Sequence, residues 1–213
     1  MKRKQFLVIG LGRFGSAVAR TLCGLGHEVV AIDSREAPVD DITGAVTQAV
    51  IANATDETTL RELGITNFDA VIIAIGSDIT ANVYATLAAR DAGATHIICK
   101  AVDDISKRIL LKIGADKVIR PEHDSGVRLA QQLATPRMIG QIELGSDYSV
   151  MEIEASQLLV GRLEKVQQNG IQIIAHARGN TVQSSAPNNI ELGDRLVLLG
   201  KKAALERLRD SSD

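Results

Sequence analysis

The chain has 213 residues, 45% of them hydrophobic but only 2% aromatic, and 24 basic against 26 acidic residues give a formal net charge of −2. That balance excludes the basic field needed for nucleic acid or anionic lipid, and no stretch approaches the roughly 18–20 apolar residues of a membrane span. The basic start Met1-Lys2-Arg3-Lys4 precedes an apolar run too short for a signal peptide, so a cytosolic chain is expected.

A core of Val, Ile, Leu and Ala suits buried parallel strands covered by helices. The first apolar run, Phe6-Leu7-Val8-Ile9, leads straight into Gly10-Leu11-Gly12-Arg13-Phe14-Gly15 and a helix-patterned segment from Ser16 to Leu25. A glycine-rich turn between strand and helix makes a phosphate site: Gly10 permits the turn, Gly12 lets backbone N–H groups approach a phosphate, and Gly15 lets helix and strand pack. Glu28-Val29-Val30-Ala31-Ile32 reads as the next strand and ends in Asp33, eighteen residues after the third glycine. An acid there accepts the two hydroxyls of an adenosine ribose and repels a 2′-phosphate, which disfavours NADP.

Val46 to Ala52 follows as a third strand, and Thr55 or Asp56 is placed to cap a helix from Glu57 to Leu63 that closes at Gly64. Ala70 to Ile75 is continuously apolar, and Gly76-Ser77-Asp78 turns it into a helix from Thr80 to Ala92. His96 to Cys99 makes a fifth strand, Ser106 to Ile113 a helix, and Lys117-Val118-Ile119 a sixth strand ending at Arg120-Pro121-Glu122. Strands alternating with helices predict an α/β fold, a Rossmann-like doubly wound parallel sheet of order 3-2-1-4-5-6, with its crevice at the carboxyl ends of strands 1 and 4. Gly10 to Gly15, Asp33-Ser34-Arg35, Asn53-Ala54, Ile75-Gly76-Ser77 and Lys100-Ala101 follow strand ends and converge there. Asn53 reads equally as a turn former, and Ser77-Asp78 as a helix cap.

Beyond Glu122, Asp124-Ser125 is expected to cap an amphipathic helix from Gly126 to Leu133 that ends at Thr135-Pro136, with Pro136 starting a short helix through Ile139. From Gln141 the period becomes two. Strands are expected around Ile142 and Leu144, Val150 to Ile153, Leu158 to Leu163, Ile171 to Ile174, Thr181-Val182 and Arg195 to Leu199. Turns punctuate them at Gly145-Ser146-Asp147, Asn169-Gly170, Arg178-Gly179-Asn180 and Leu192-Gly193-Asp194, and Ala203 to Arg209 reads as a closing helix. The expected organisation is a nucleotide-binding domain over 1–138 and a small β-rich α+β domain over 139–213. A unit of roughly 70 residues often uses an oligomeric partner to bury enough surface.

Catalytic machinery is harder to find. No second domain holds a substrate against a nicotinamide, and HExxH, nucleophile-elbow and Walker A patterns are absent from the sequence. Lys100 with His123 is the pair an oxidoreductase would use for acid/base work, but the expectation is a protein without enzymatic activity. Cys23 and Cys99 lack CxxC spacing and read as buried thiols. Arg13, inside the glycine turn, offers a bidentate grip on a terminal phosphate, or simply sits exposed at the helix start.

Lys4 to Gly15, Ala52-Asn53-Ala54-Thr55, Ala74-Ile75-Gly76-Ser77-Asp78, Ile113-Gly114-Ala115-Asp116 and Arg120-Pro121-Glu122 together resemble the cytosolic regulatory subunits of Ktr/Trk potassium uptake systems, the RCK domain family. The resemblance implies a non-catalytic nucleotide sensor, peripheral on the inner face of the membrane, whose homodimers assemble into an octameric ring beneath a membrane-embedded K⁺-translocating subunit. In the Ktr branch ATP and ADP compete for the crevice, and in the Trk branch NAD⁺ and NADH occupy it. By matching position, Arg13 would hold terminal phosphates and Asp33 the ribose. Asn53, Ala54, Ile75, Gly76, Ser77 and Lys100 would line the adenosine and phosphate pocket, with Ser106 a further candidate. Glu122 matches an acid that helps bind Mg²⁺ or Ca²⁺ at the dimer interface. Gln172 and Pro187 loosely match positions that in some members bind cyclic di-AMP between two C-terminal lobes.

Overall fold

Six parallel strands organise the first part of the molecule. The structure, a computed structural model, describes residues 2–76, 78–134, 138–168 and 170–210. The chain falls into two units, Met1–Ser125 and Gly126–Asp213.

In the first unit β1 (Gln5–Ile9), α1 (Arg13–Gly24), β2 (Glu28–Asp33), α2 (Glu36–Ile42), β3 (Gln48–Ile51), α3 (Glu57–Glu62), β4 (Ala70–Ile73), α4 (Ile79–Asp91), β5 (Ile97–Lys100), α5 (Asp104–Lys112) and β6 (Lys117–Ile119) alternate, and α6 (Pro121–Ala134) crosses the boundary. The sheet order is β3-β2-β1-β4-β5-β6, the doubly wound order expected from the sequence. Ile9 pairs with both Ile32 and Ile73, so the strands nearest the glycine loop end in register. Along β4, Val71 and Ile73 join the cluster formed with Leu60 of α3, Ala85 and Ala89 of α4 and Leu110 of α5. Ala70 and Ile72 join the opposite cluster, with Ala19 of α1 and Val39 and Ile42 of α2. Continuous apolarity in the sequence therefore corresponds to burial on both faces.

Capping chemistry explains several helix starts. Asp56 accepts the N–H of Thr58 at the head of α3, and Asp78 accepts that of Ala81 at the head of α4. The helix α6 begins five residues before the expected start, because Pro121 takes the first position, where its missing N–H costs nothing. Asp124-Ser125 thus lies inside the helix, and the Asp124 N–H donates to the carbonyl of Arg120.

The second unit holds β7 (Met138–Leu144), β8 (Tyr148–Glu154), α7 (Leu163–Gln168), β9 (Gln172–Arg178), β10 (Thr181–Gln183), β11 (Arg195–Lys201) and α8 (Lys202–Asp210). Its antiparallel sheet runs β10-β9-β11-β8-β7. One face buries Met151, Ile153, Leu196 and Leu198 against Val166 of α7 and Leu205 of α8. Two expectations are corrected here. Leu158 to Arg162 is a pair of tight turns rather than a strand, and Leu163 opens α7: Leu159 N–H donates to Ser156, Arg162 N–H to Leu159, and Gly161 adopts φ +70° between them. Ile139 belongs to strand β7 rather than to a short helix, since Gly140 and its successors pair with β8. The expected helix-ending residues Thr135-Pro136 lie outside the described residues, as does Asn169 of one turn.

Candidate nucleotide site

A cavity of about 370 Å³ opens at the carboxyl ends of β1, β2, β3 and β4, lined by Gly10, Gly12, Asp33, Ser34, Arg35, Asn53, Ala54, Thr55, Ile75, Gly76, Asp78 and Ala81, with Ile9, Ile32, Ala52 and Ala74 at its floor. Its size falls in the range of about 300–1,000 Å³ usual for small-molecule sites.

The glycine loop shapes one wall. Gly10 turns with φ +89°, and its N–H donates to the carbonyl of Ile32 at 2.8 Å. A Cβ on Gly15 would lie 1.9 Å from the Gly10 carbonyl oxygen, so this position admits no side chain without opening the loop. Gly12 stands at the N-cap of α1 with no side-chain cap, and space around its Cα is open. The N–H groups of the first helical turn, together with the helix dipole, therefore remain available to an anion.

Asp33 forms the second wall. Its carboxylate is 7% exposed and accepts the N–H of Leu11 at 2.8 Å and both the N–H and the guanidinium of Arg35. Burial works against the charge, but the bonds from Arg35 and Leu11 prevail and hold the carboxyl below the usual carboxylate range. Asn53 is exposed and accepts the N–H and hydroxyl of Thr55, a turn of the type expected, while it also lines the cavity.

A second group of expected residues lies beside this cavity rather than on its wall. Lys100 donates from Nζ to Glu122 Oε1 at 2.6 Å, stands 6.0 Å from the centroid of the Phe14 ring, and approaches within 3.0 Å of where a Gly76 Cβ would sit. The ammonium bonded to Glu122 lowers its pKa, with the charge of Arg13 adding to the effect. Arg13 is exposed at the head of α1, and Ala101 is buried just beyond β5. Ser106 is buried in a capping box with Asp103 at the start of α5, where its N–H and hydroxyl both meet the Asp103 side chain. Ser77 lies outside the described residues. Lys100 and His123 do not form the acid/base pair considered from the sequence: Lys100 bonds Glu122, and His123 meets Asp124 Oδ1 at 3.2 Å.

Asn82, unnoticed in the sequence, joins these parts. It is 2% exposed and donates from Nδ2 to the carbonyls of Ile75 at 2.6 Å and Lys100 at 2.8 Å. The signal was its spacing, since Asn82, Thr86 and Ala89 fall on the buried stripe of α4. Among the described residues no cluster of three or more His, Cys, Asp or Glu side chains could hold a metal ion. In the second unit a polar cavity of about 550 Å³ is lined by His176, Arg178 and Pro187 among others; Gln172, on β9, is not on its wall.

A doubly wound sheet with an uncapped glycine-loop helix and an acid at the end of its second strand defines a Rossmann-type dinucleotide-fold protein. Residues 6–121 match the TrkA-N domain family. Over 209 residues the chain is 39% identical to Ktr system potassium uptake protein A of Vibrio alginolyticus, covering 95% of this chain and 94% of that protein. Against the protein of the same name from Bacillus subtilis (strain 168) the identity is 39% over 216 residues, covering 99% and 97%. The GsuK channel superposes with TM-score 0.73, and its NAD-bound form with 0.68, both at 19% identity; the match takes in 99% and 98% of this chain but 40% of the channel chain. The chain belongs to the TrkA-N family and, within it, to the KtrA-like regulatory proteins of potassium uptake. Among the described residues no helix is long and apolar enough to cross a membrane.

Proposed function

We propose that this protein is the nucleotide-sensing gating subunit of a Ktr-type K⁺ uptake system. ATP and ADP compete for the cavity, and the nucleotide held there sets the conductance of a membrane-embedded K⁺-translocating subunit. The observation that carries the reading is the coincidence of an uncapped α1 N-terminus with Asp33 across one cavity, in a chain 39% identical to Ktr proteins. The helix terminus suits phosphates and Asp33 suits a ribose. Arg13 and the Lys100–Glu122 pair lie just outside, where a terminal phosphate and a shared Mg²⁺ or Ca²⁺ would sit. Homodimers forming an octameric ring on the inner face of the membrane, and cyclic di-AMP between second units, belong to the same proposal through the family resemblance. The chain acts by binding, with no chemical step of its own.

Titrating purified full-length protein with ATP, ADP, NAD⁺ and NADH, with particle mass followed alongside, tests this. Competitive ATP and ADP binding with different ring states is the expected result. A preference for NAD(H) would instead support a Trk-type regulator; the GsuK channel, which shares this fold, is known bound to NAD and bound to ADP.

A further inference from the structure

The acid facing the ribose position is already fully bonded, and half of its bonds come from one movable side chain. Asp33 Oδ1 accepts the backbone N–H of Arg35 at 3.0 Å and its Nε at 3.1 Å. Oδ2 accepts the N–H of Leu11 at 2.8 Å and Arg35 Nη2 at 3.3 Å. A carboxylate offers about four lone-pair sites, and here each has a donor. The two main-chain donors are fixed by the glycine loop and by the turn into α2. The other two belong to a guanidinium whose side chain is 68% exposed, against 7% for Asp33. A vicinal ribose diol presents the same pattern as that guanidinium: two parallel donors aimed at the two oxygens of one carboxylate. Both residues line the cavity, so fork and diol compete for one place.

We propose that Arg35 is a specificity-determining residue that acts as a built-in competitor for ribose: its guanidinium holds the diol position on Asp33, and an adenosine ribonucleotide binds by displacing it. The proposal rests on the adenine-nucleotide reading of the cavity. Displacement returns an exposed cation to water, so the competition is modest; an ion pair exposed at its cationic end, discounted for solvent screening, corresponds to about a two- to fivefold change in a binding constant. A nucleotide lacking the 2′-hydroxyl replaces one donor instead of two and gains less when Arg35 is gone.

Calorimetric titration of the full chain and of its Arg35→Ala and Arg35→Lys variants, each with ATP and with 2′-deoxy-ATP, tests this. Arg35→Ala should bind ATP about two- to fivefold more tightly, with a smaller gain for 2′-deoxy-ATP. Arg35→Lys, which keeps a point charge without the fork, should fall between. Unchanged or weaker ATP binding by Arg35→Ala, or equal gains for both nucleotides, overturns the competitor while leaving the nucleotide site intact. Failure of all three proteins to bind ATP overturns both readings.

Discussion

Arg13 is where phosphate number would be read, because it stands exposed at the head of α1 with its charge already felt by Glu122. In the proposed site the loop N–H groups would hold the inner phosphates and leave a guanidinium there to meet a γ-phosphate. Arg13→Ala should therefore weaken ATP by roughly tenfold and ADP much less, the worth of one charged hydrogen bond. Equal losses in parallel titrations would remove the terminal-phosphate role. In the second unit Asp194 carries a structural load. It is 1% exposed and accepts Arg178 Nε and Nη2, each at 2.8 Å, and the Glu191 N–H at 2.9 Å. Those bonds, Arg178 first, hold its pKa below the ordinary carboxylate value. A depressed folded pKa contributes stability that is complete above the unfolded value of about 3.9 and fades as pH falls through the folded one. Arg178→Ala should destabilise the fold at neutral pH and flatten the acid limb of the stability curve, as seen by denaturant unfolding from pH 7 to pH 2.

Among the elements, α4 does more than cover the sheet. Its Asn82 ties the ends of β4 and β5 together, and so sets the spacing between the Ile75-Gly76 wall and Lys100. Removing it in Asn82→Ala leaves two half-buried carbonyls short of a donor. The expected cost is about 1–3 kcal/mol of stability with weakened nucleotide affinity, and retained affinity at reduced stability would limit Asn82 to a packing role. The spacing of Asn82 with Thr86 and Ala89 places it on the buried stripe, but the two carbonyls it meets were not legible in the sequence. The sheet itself was legible, because Ala70 to Ile73 is apolar on both faces and parallel strands so buried need helices on each side. The short helix α2 left no clear pattern, since seven residues with Pro38 in the first turn give less than two turns of periodicity. At Leu158 to Leu163 the apolar content misled: Leu159 is buried from a turn, not from a strand, and strand periodicity cannot tell the two apart. Gly10, Gly12 and Asp33 were expected at one crevice from their spacing, and all three line the cavity; the Arg35 fork on Asp33 was not expected, because it depends on a side-chain conformation.

For the whole molecule, the gating proposal is limited by the energy that nucleotides can supply. A ligand shifts a two-state equilibrium only through different affinities for the two states, and moving it from 1:99 to 99:1 takes a ratio of about 10⁴. In a single chain one cavity would have to provide all of that, which is far more than one extra phosphate contact yields. If eight chains switch together, as the proposed octamer would, the per-site ratios multiply, and about threefold at each site gives the same overall shift. One Arg13-type contact made in only one of the two states is then sufficient, with margin. The prediction is that ATP-loaded and ADP-loaded protein differ in ring geometry by small-angle scattering, and that a nucleotide titration of the assembled protein is sigmoidal while that of an assembly-deficient variant is hyperbolic with the same mean affinity to within about tenfold. Identical scattering with both nucleotides, together with hyperbolic binding in the assembled state, would mean that the cavity binds nucleotide without transmitting it, and the gating role would fall even though the site survived.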